Sequence, residues 1–199
     1  MKYKLIGKNL KEDIGREVLN NRGIDDDYQH FLNPVLEDVY SYSLLANIDA
    51  AAALLDIHIK KKSKIGIVVD SDCDGLCSAA TLWNFIHKDV DPEADLEFFV
   101  HEGKEHGLDK ATYQKIIDAK INLLIIPDAG SNDTERIKYL LDLKIDIIIL
   151  DHHDMEDPLH TMFYKDFGSK FIKEKSYCYI INNQASVSYP NKELCGAGV

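Results

Sequence analysis

Three apolar runs in this 199-residue chain each stop on a carboxylate. Ile65 to Val69 leads into Asp70, Leu123 to Ile126 reaches Asp128 through Pro127, and Ile147 to Leu150 runs into Asp151-His152-His153. Runs that are apolar throughout, with no polar alternation, suit strands of a parallel sheet covered on both faces. The intervening segments read as helices. Leu76, Ala79, Ala80, Trp83 and Ile86 recur at helical spacing over about 76–88. Leu108 and Tyr113 bracket an Asp109 cap, and Asn132 with Glu135 forms a capping-box pattern ahead of Ile137, Leu140 and Leu141. Strands expected at 64–69, 95–100, 121–126 and 145–150 complete a βαβαβαβ order. The fold expected is α/β, a doubly wound and mainly parallel sheet.

Residues 9–62 read as helical, with Asp49 as the expected cap of a helix over Ala50–Lys62. The expected organisation is therefore a helical N-terminal preface over 1–62 and an α/β domain over 63–199. A polar and aromatic stretch from about 155 to 176 reads as the one candidate linker, either covering one edge of the site or forming a mobile loop.

The ends of these strands carry the chemistry. Asp70, Asp72 and Asp74 lie within five residues, and carboxylates that close raise one another's pKa unless a cation joins them. A helix N-terminus favouring acids is the plainer account of Asp74; for all three acids after a buried strand, a divalent cation is the better one. Ligand sites in doubly wound sheets lie outside the carboxyl ends of the strands, where Asp128 and Asp151-His152-His153 also fall. Imidazole with carboxylate suits manganese or a similar first-row ion better than an all-oxygen shell. Adjacent residues do not readily face one way, so His152 is the expected ligand, His153 the phosphate contact and Asp151 the residue that orients an imidazole. Two ions about 3.5–4 Å apart would activate water and stabilise charge on a phosphoryl group. Asp128, central in sequence, is the expected bridge between them, and phosphoester hydrolysis the expected reaction.

Net charge is −11, which argues against a basic surface over the whole chain and leaves a local basic groove open. Four cysteines at 73, 77, 178 and 195 lack paired spacing and fit free thiols in a reducing, cytoplasmic setting. Neither a signal peptide nor an apolar run of membrane-spanning length is present, so no membrane is expected. Gly196 and Gly198 form either a phosphate-cradling nest or a turn.

These residues resemble the DHH phosphoesterases, and among them the RecJ-like exonucleases specific for single-stranded DNA. Asp70-Ser71-Asp72-Cys73-Asp74-Gly75 is similar to the family's first motif, Asp128-Ala129-Gly130 to its second and Asp151-His152-His153 to its third. Tyr189-Pro190 through Leu194-Cys195-Gly196-Ala197-Gly198-Val199 is similar to its glycine motif. The preface adds RecJ character in Asn21-Arg22-Gly23-Ile24, Phe31-Leu32-Asn33-Pro34 and Asp49-Ala50-Ala51. The resemblance implies that Asp72, Asp74, Asp128 and His152 bind metal, with Asp70 beside them and His153 near the scissile phosphate. It implies 5′-to-3′ degradation of single-stranded DNA with two manganese or magnesium ions. Ser71 departs from a common aromatic and Cys73 from a small residue. His101 and His106 hold places of an Arg and a Tyr, and a His contact to phosphate there would depend on pH.

The family's last ligand Asp and its second domain would follow the glycine motif, beyond Val199. The expectation is thus the N-terminal part of a longer nuclease, or one half of a split one. Two other readings stay open: a phosphodiesterase of short oligoribonucleotides or cyclic dinucleotides, and a non-catalytic nucleic-acid-binding or assembly module.

Overall fold

A computed structural model describes residues 13–24, 28–101, 108, 110–155 and 176–199. The expected Asp109 cap, His106 and nearly all of the 155–176 stretch lie outside them. Two compact units divide the chain, Met1–Tyr40 and Ser41–Val199. In the first, helix α1 (Ile14–Asn20) starts where the Asp13 carboxylate accepts from Arg16 N at 2.9 Å. Helix α2 (Tyr28–Leu32) follows, and its His30 pairs with Asp38 at 2.7 Å.

The second unit holds α3 (Ile48–Lys60), β1 (Ile65–Val69), α4 (Cys73–Phe85), β2 (Leu96–Val100), α5 (Lys110–Asp118), β3 (Leu123–Pro127), α6 (Thr134–Asp142), β4 (Asp146–Asp151) and β5 (Cys178–Asn182). The sheet order is β2-β1-β3-β4-β5, and every adjacent pair is parallel. Successive residues of each apolar strand serve opposite layers. Leu124, Ile126, Ile147 and Ile149 pack with Ile116 of α5 and Ile137 and Leu140 of α6. Leu123, Ile125 and Ile148 pack with Ala51 and Leu54 of α3, while Ile67 and Val69 meet Ala79 of α4. Both faces are covered, which is why these runs contain no polar alternation.

The expected α/β architecture is observed, with three local corrections. A fifth strand, β5, joins the sheet beside β4. Helix α4 begins at Cys73 because Asp72 is its N-cap, its carboxylate accepting from Gly75 N at 2.9 Å. Helices α3 and α6 follow Asn47 and Asp133, leaving Asp49 inside the first turn and Asn132 outside the helix, where it donates to Asp154 O at 2.9 Å. The compact unit carrying the sheet begins at Ser41 and so takes in α3, whose Ala51 and Leu54 are buried. No single helix among the described residues is long and apolar enough to cross a membrane.

One part-buried polar pair ties α3 to the sheet. His58 Nε2 lies 2.9 Å from Asp146 Oδ2, and Asp146 Oδ1 accepts from Tyr177 N at 2.6 Å, just before β5. Removing the carboxylate strands both donors. Asp146→Leu is expected to cost about 3 kcal/mol, read as a lower urea midpoint at unchanged slope; a midpoint equal to wild type would remove this bridge from the account.

Candidate metal centre

From β1 the chain runs outward to β2, then returns across β1 to β3. The carboxyl ends of β1 and β3 therefore flank the point where strand order reverses, the place where open α/β sheets build ligand crevices. Asp70 and Asp128 are the first residues past those two strands, and both are buried. Asp128 adopts a left-handed backbone, φ +64°, followed by Gly130 at +97°. Asp is among the few residues with a side chain that tolerate this region.

The acids and imidazoles converge in two overlapping groups. Ligand atoms of Asp70, Asp72 and Asp128 all lie within 4.8 Å of one another, as do those of Asp128, His152 and His153. Asp128 belongs to both. His152 Nε2 is 3.2 Å from Asp128 Oδ1, yet not aligned for a hydrogen bond, so this buried oxygen has no hydrogen-bond partner. Burial, then the negative charges of Asp74 and Asp72, push the Asp128 carboxyl up to about 7.

Asp74 takes a different position from the rest of its triad. Its Oδ2 accepts from Gly196 N at 2.7 Å and its Oδ1 from Ala197 N at 2.9 Å, and the Cys195 thiol also bonds it. Partial burial works against its charge, but these donors and His152 outweigh burial and hold the carboxyl below its ordinary range. Asp74 Oδ2 is 3.7 Å from His152 Nε2, at the rim of the cluster. The Gly196 N–H, a candidate for a phosphate nest, is thus engaged by a carboxylate. Gly198 N instead donates to Cys195 O at 2.9 Å. His101 is buried at the end of β2, its N–H donating to Val69 O at 3.0 Å; His106 lies outside the described residues.

Asp151 sits beneath the two imidazoles. Its Oδ1 accepts from His152 N at 2.7 Å, His153 N at 3.2 Å and His153 Nδ1 at 2.7 Å. Burial opposes its charge, but these bonds and the Ser131 side chain hold its carboxyl below the ordinary range. For His153, burial disfavours the charged ring; the Asp151 bond and surrounding carboxylates outweigh it and raise the imidazole's pKa. Ser131 and Asn182 are parts of this site that the sequence reading does not pick out. Asn182 carries a signal, since it ends the apolar run Cys178–Ile181 as Asp128 and Asp151 end theirs. Ser131 carries none.

Clustered carboxylates, a buried and unpartnered carboxylate oxygen, and two imidazoles fit a divalent first-row cation. Fold and donor set together define a metal-binding α/β protein.

Residues 64–196 match the model of the DHH family, N-terminal domain, and the chain belongs to the DHH family. Over its whole length it is 36% identical to YorK, an SPbeta prophage protein of Bacillus subtilis (strain 168) named as a single-strand DNA-specific exonuclease, and covers 31% of that relative. It is 26% identical to the single-stranded-DNA-specific exonuclease RecJ of Bacillus subtilis (strain 168), with 92% of this chain and 22% of that one aligned. The chain spans about a third or less of the length of these relatives. The fold is shared with an exonuclease RecJ bound to manganese (TM-score 0.62, 21% identity, 78% of this chain and 35% of that one). It is shared also with RecJ in complex with Mn2+ from Thermus thermophilus (TM-score 0.61, 21% identity, 91% of this chain and 22% of that one).

Proposed function

We propose that this chain carries the metal centre of a RecJ-like exonuclease, hydrolysing single-stranded DNA from the 5′ end by a two-metal mechanism with manganese or magnesium. The observation that carries the reading is Asp128: buried, shared by two potential ligand groups, with one oxygen unpartnered. The likeness to YorK and RecJ supports the same reaction class. Asp70, Asp72 and Asp128 would hold one cation, and Asp128 with His152 the other. Bound there, the cations would polarise the phosphodiester and make water a competent nucleophile near neutral pH.

The chain's own residues supply the rest. Asp128 belongs to both ligand groups and would contribute to each. Asp74, fixed by the Gly196 and Ala197 amides, adds negative charge at the rim that favours cation entry. His153 has Nδ1 engaged by Asp151, which leaves Nε2 for a substrate phosphate, and the neighbouring carboxylates favour its charged form. With a net charge of −11, bound cations and His153 are better suited to receive a phosphodiester than the surface as a whole.

The test is manganese-dependent release of nucleotides from 5′-labelled and 3′-labelled single-stranded DNA, matched duplex DNA and matched RNA. Wild-type protein is expected to release label first from the 5′ end of single-stranded DNA, and Asp128→Ala to release none. Preferential cleavage of RNA di- and trinucleotides would replace the substrate in this reading. Equal activity in Asp128→Ala would overturn it.

A further inference from the structure

The end of β5 reaches the metal centre through a buried side-chain relay. Asn182 is fully buried, and Ser131 and Asp151 are 1% exposed. Asn182 Nδ2 donates to Ser131 Oγ at 3.1 Å and to the His153 carbonyl at 2.9 Å. Ser131 in turn holds Asp151, its N–H donating to Oδ2 at 3.0 Å and its side chain adding a second bond. Asp151 Oδ1 then receives His153 Nδ1. Three chain segments, after β3 and at the ends of β4 and β5, are stitched together at one imidazole.

We propose that Asn182 is a positioning residue that fixes the ring of His153, acting directly on its backbone carbonyl and indirectly through Ser131 and Asp151. Asp151 takes three donors on one oxygen, so its own direction decides where the ring points. Without the Ser131 hydroxyl that carboxylate keeps only the backbone N–H of the two bonds Ser131 makes to it, and without Asn182 both Ser131 Oγ and the His153 carbonyl lose a donor. A part-buried carbonyl that loses its donor must find another partner, which loosens the segment after β4. The catalytic consequence rests on the reading of the site given above; the structural relay does not.

Asn182 has a second duty, which makes the inference testable. Its Oδ1 accepts from Gln184 N at 2.7 Å and Ala185 N at 3.3 Å, holding the turn after β5. Asn182→Asp keeps that acceptor and removes the amide donor, whereas Asn182→Ala removes both. The readout is the His153 Nδ1–H resonance in the full chain labelled with 15N-histidine, assigned by its loss in Asp151→Asn. Asn182→Asp and Ser131→Ala are expected to speed its exchange with water about tenfold or more, while Gln184 and Ala185 amides stay protected in Asn182→Asp. In the DNA assay the same two variants are expected to lose about tenfold or more in kcat with KM little changed. Wild-type exchange rates in both variants would overturn the proposal. A relay confirmed by exchange in a protein that cleaves no DNA would sink the nuclease reading and leave this positioning role intact.

Discussion

Asp128→Asn is expected to lower the affinity for Mn2+ by at least about a hundredfold. Substitutions outside the ligand shell commonly cost 10–100-fold, and Asp128 belongs to both candidate ligand groups. Calorimetric titration of Mn2+ into the two proteins reads the difference directly, and equal affinities would remove Asp128 from the centre of the account. The same variant has the opposite effect without metal. The folded Asp128 carboxyl titrates at about 7 against 3.8 in the unfolded chain. Between those values the native state binds a proton that the unfolded state has released, so stability falls as pH rises and levels off above about 7. Three pKa units correspond to about 4 kcal/mol. His153, raised by its carboxylates, acts in the same direction as pH passes its folded value. The lowered carboxyls of Asp74 and Asp151 stabilise the fold above the ordinary carboxylate range and lose that effect only in acid. In EDTA, wild-type protein is therefore expected to lose stability in urea from pH 5 to pH 8, and Asp128→Asn to lose much less. A wild-type curve flat or rising over that interval would contradict the placement of this carboxylate.

Gly196→Ala is the second large effect. A methyl group built on Gly196 overlaps the Asp128 carboxylate, and Gly196 and Ala197 present their N–H groups to Asp74. Nothing flexible lies in the way, so either the turn or the buried carboxylate must move. The expected cost is about 1–3 kcal/mol of stability and at least about a tenfold loss in Mn2+ affinity, measured by urea unfolding and calorimetry. Gly198→Ala is the control, because its added methyl meets the Leu194 side chain no closer than 3.3 Å, at its tip. Wild-type metal affinity in Gly196→Ala, or losses of equal size in both variants, would show that the closeness of Gly196 to Asp128 carries no weight.

The strands β1, β3 and β4 are legible in the sequence because each apolar run ends in a polar residue, a pattern local to five or six positions, and β2 carries the shorter run Phe98-Phe99-Val100. Strand β5 is not, since Tyr179 and Cys178 weaken its apolar run and nothing nearby in sequence marks its pairing with β4. The first turn of α4 is hidden because Asp72 reads as a ligand before it reads as a cap, although its geometry permits both duties. Asp70, Asp72, Asp128 and the two histidines can be picked out as a group because strand ends of one sheet meet at one edge. The engagement of Asp74 by amides 122 and 123 residues away depends on tertiary packing, and no local pattern encodes it. The same holds for Ser131, an ordinary polar residue, while Asn182 is marked only by its place at the end of an apolar run; the roles of both come from what β3, β4 and β5 place side by side.

The most direct measurement is an anomalous difference map from crystals of the protein grown with MnCl2. The account predicts two peaks at the carboxyl ends of β1, β3 and β4, one touching Asp70, Asp72 and Asp128 and one touching Asp128 and His152, with the Asp128 carboxylate between them. A map with no manganese at Asp128, in crystals that carry it elsewhere, would contradict it.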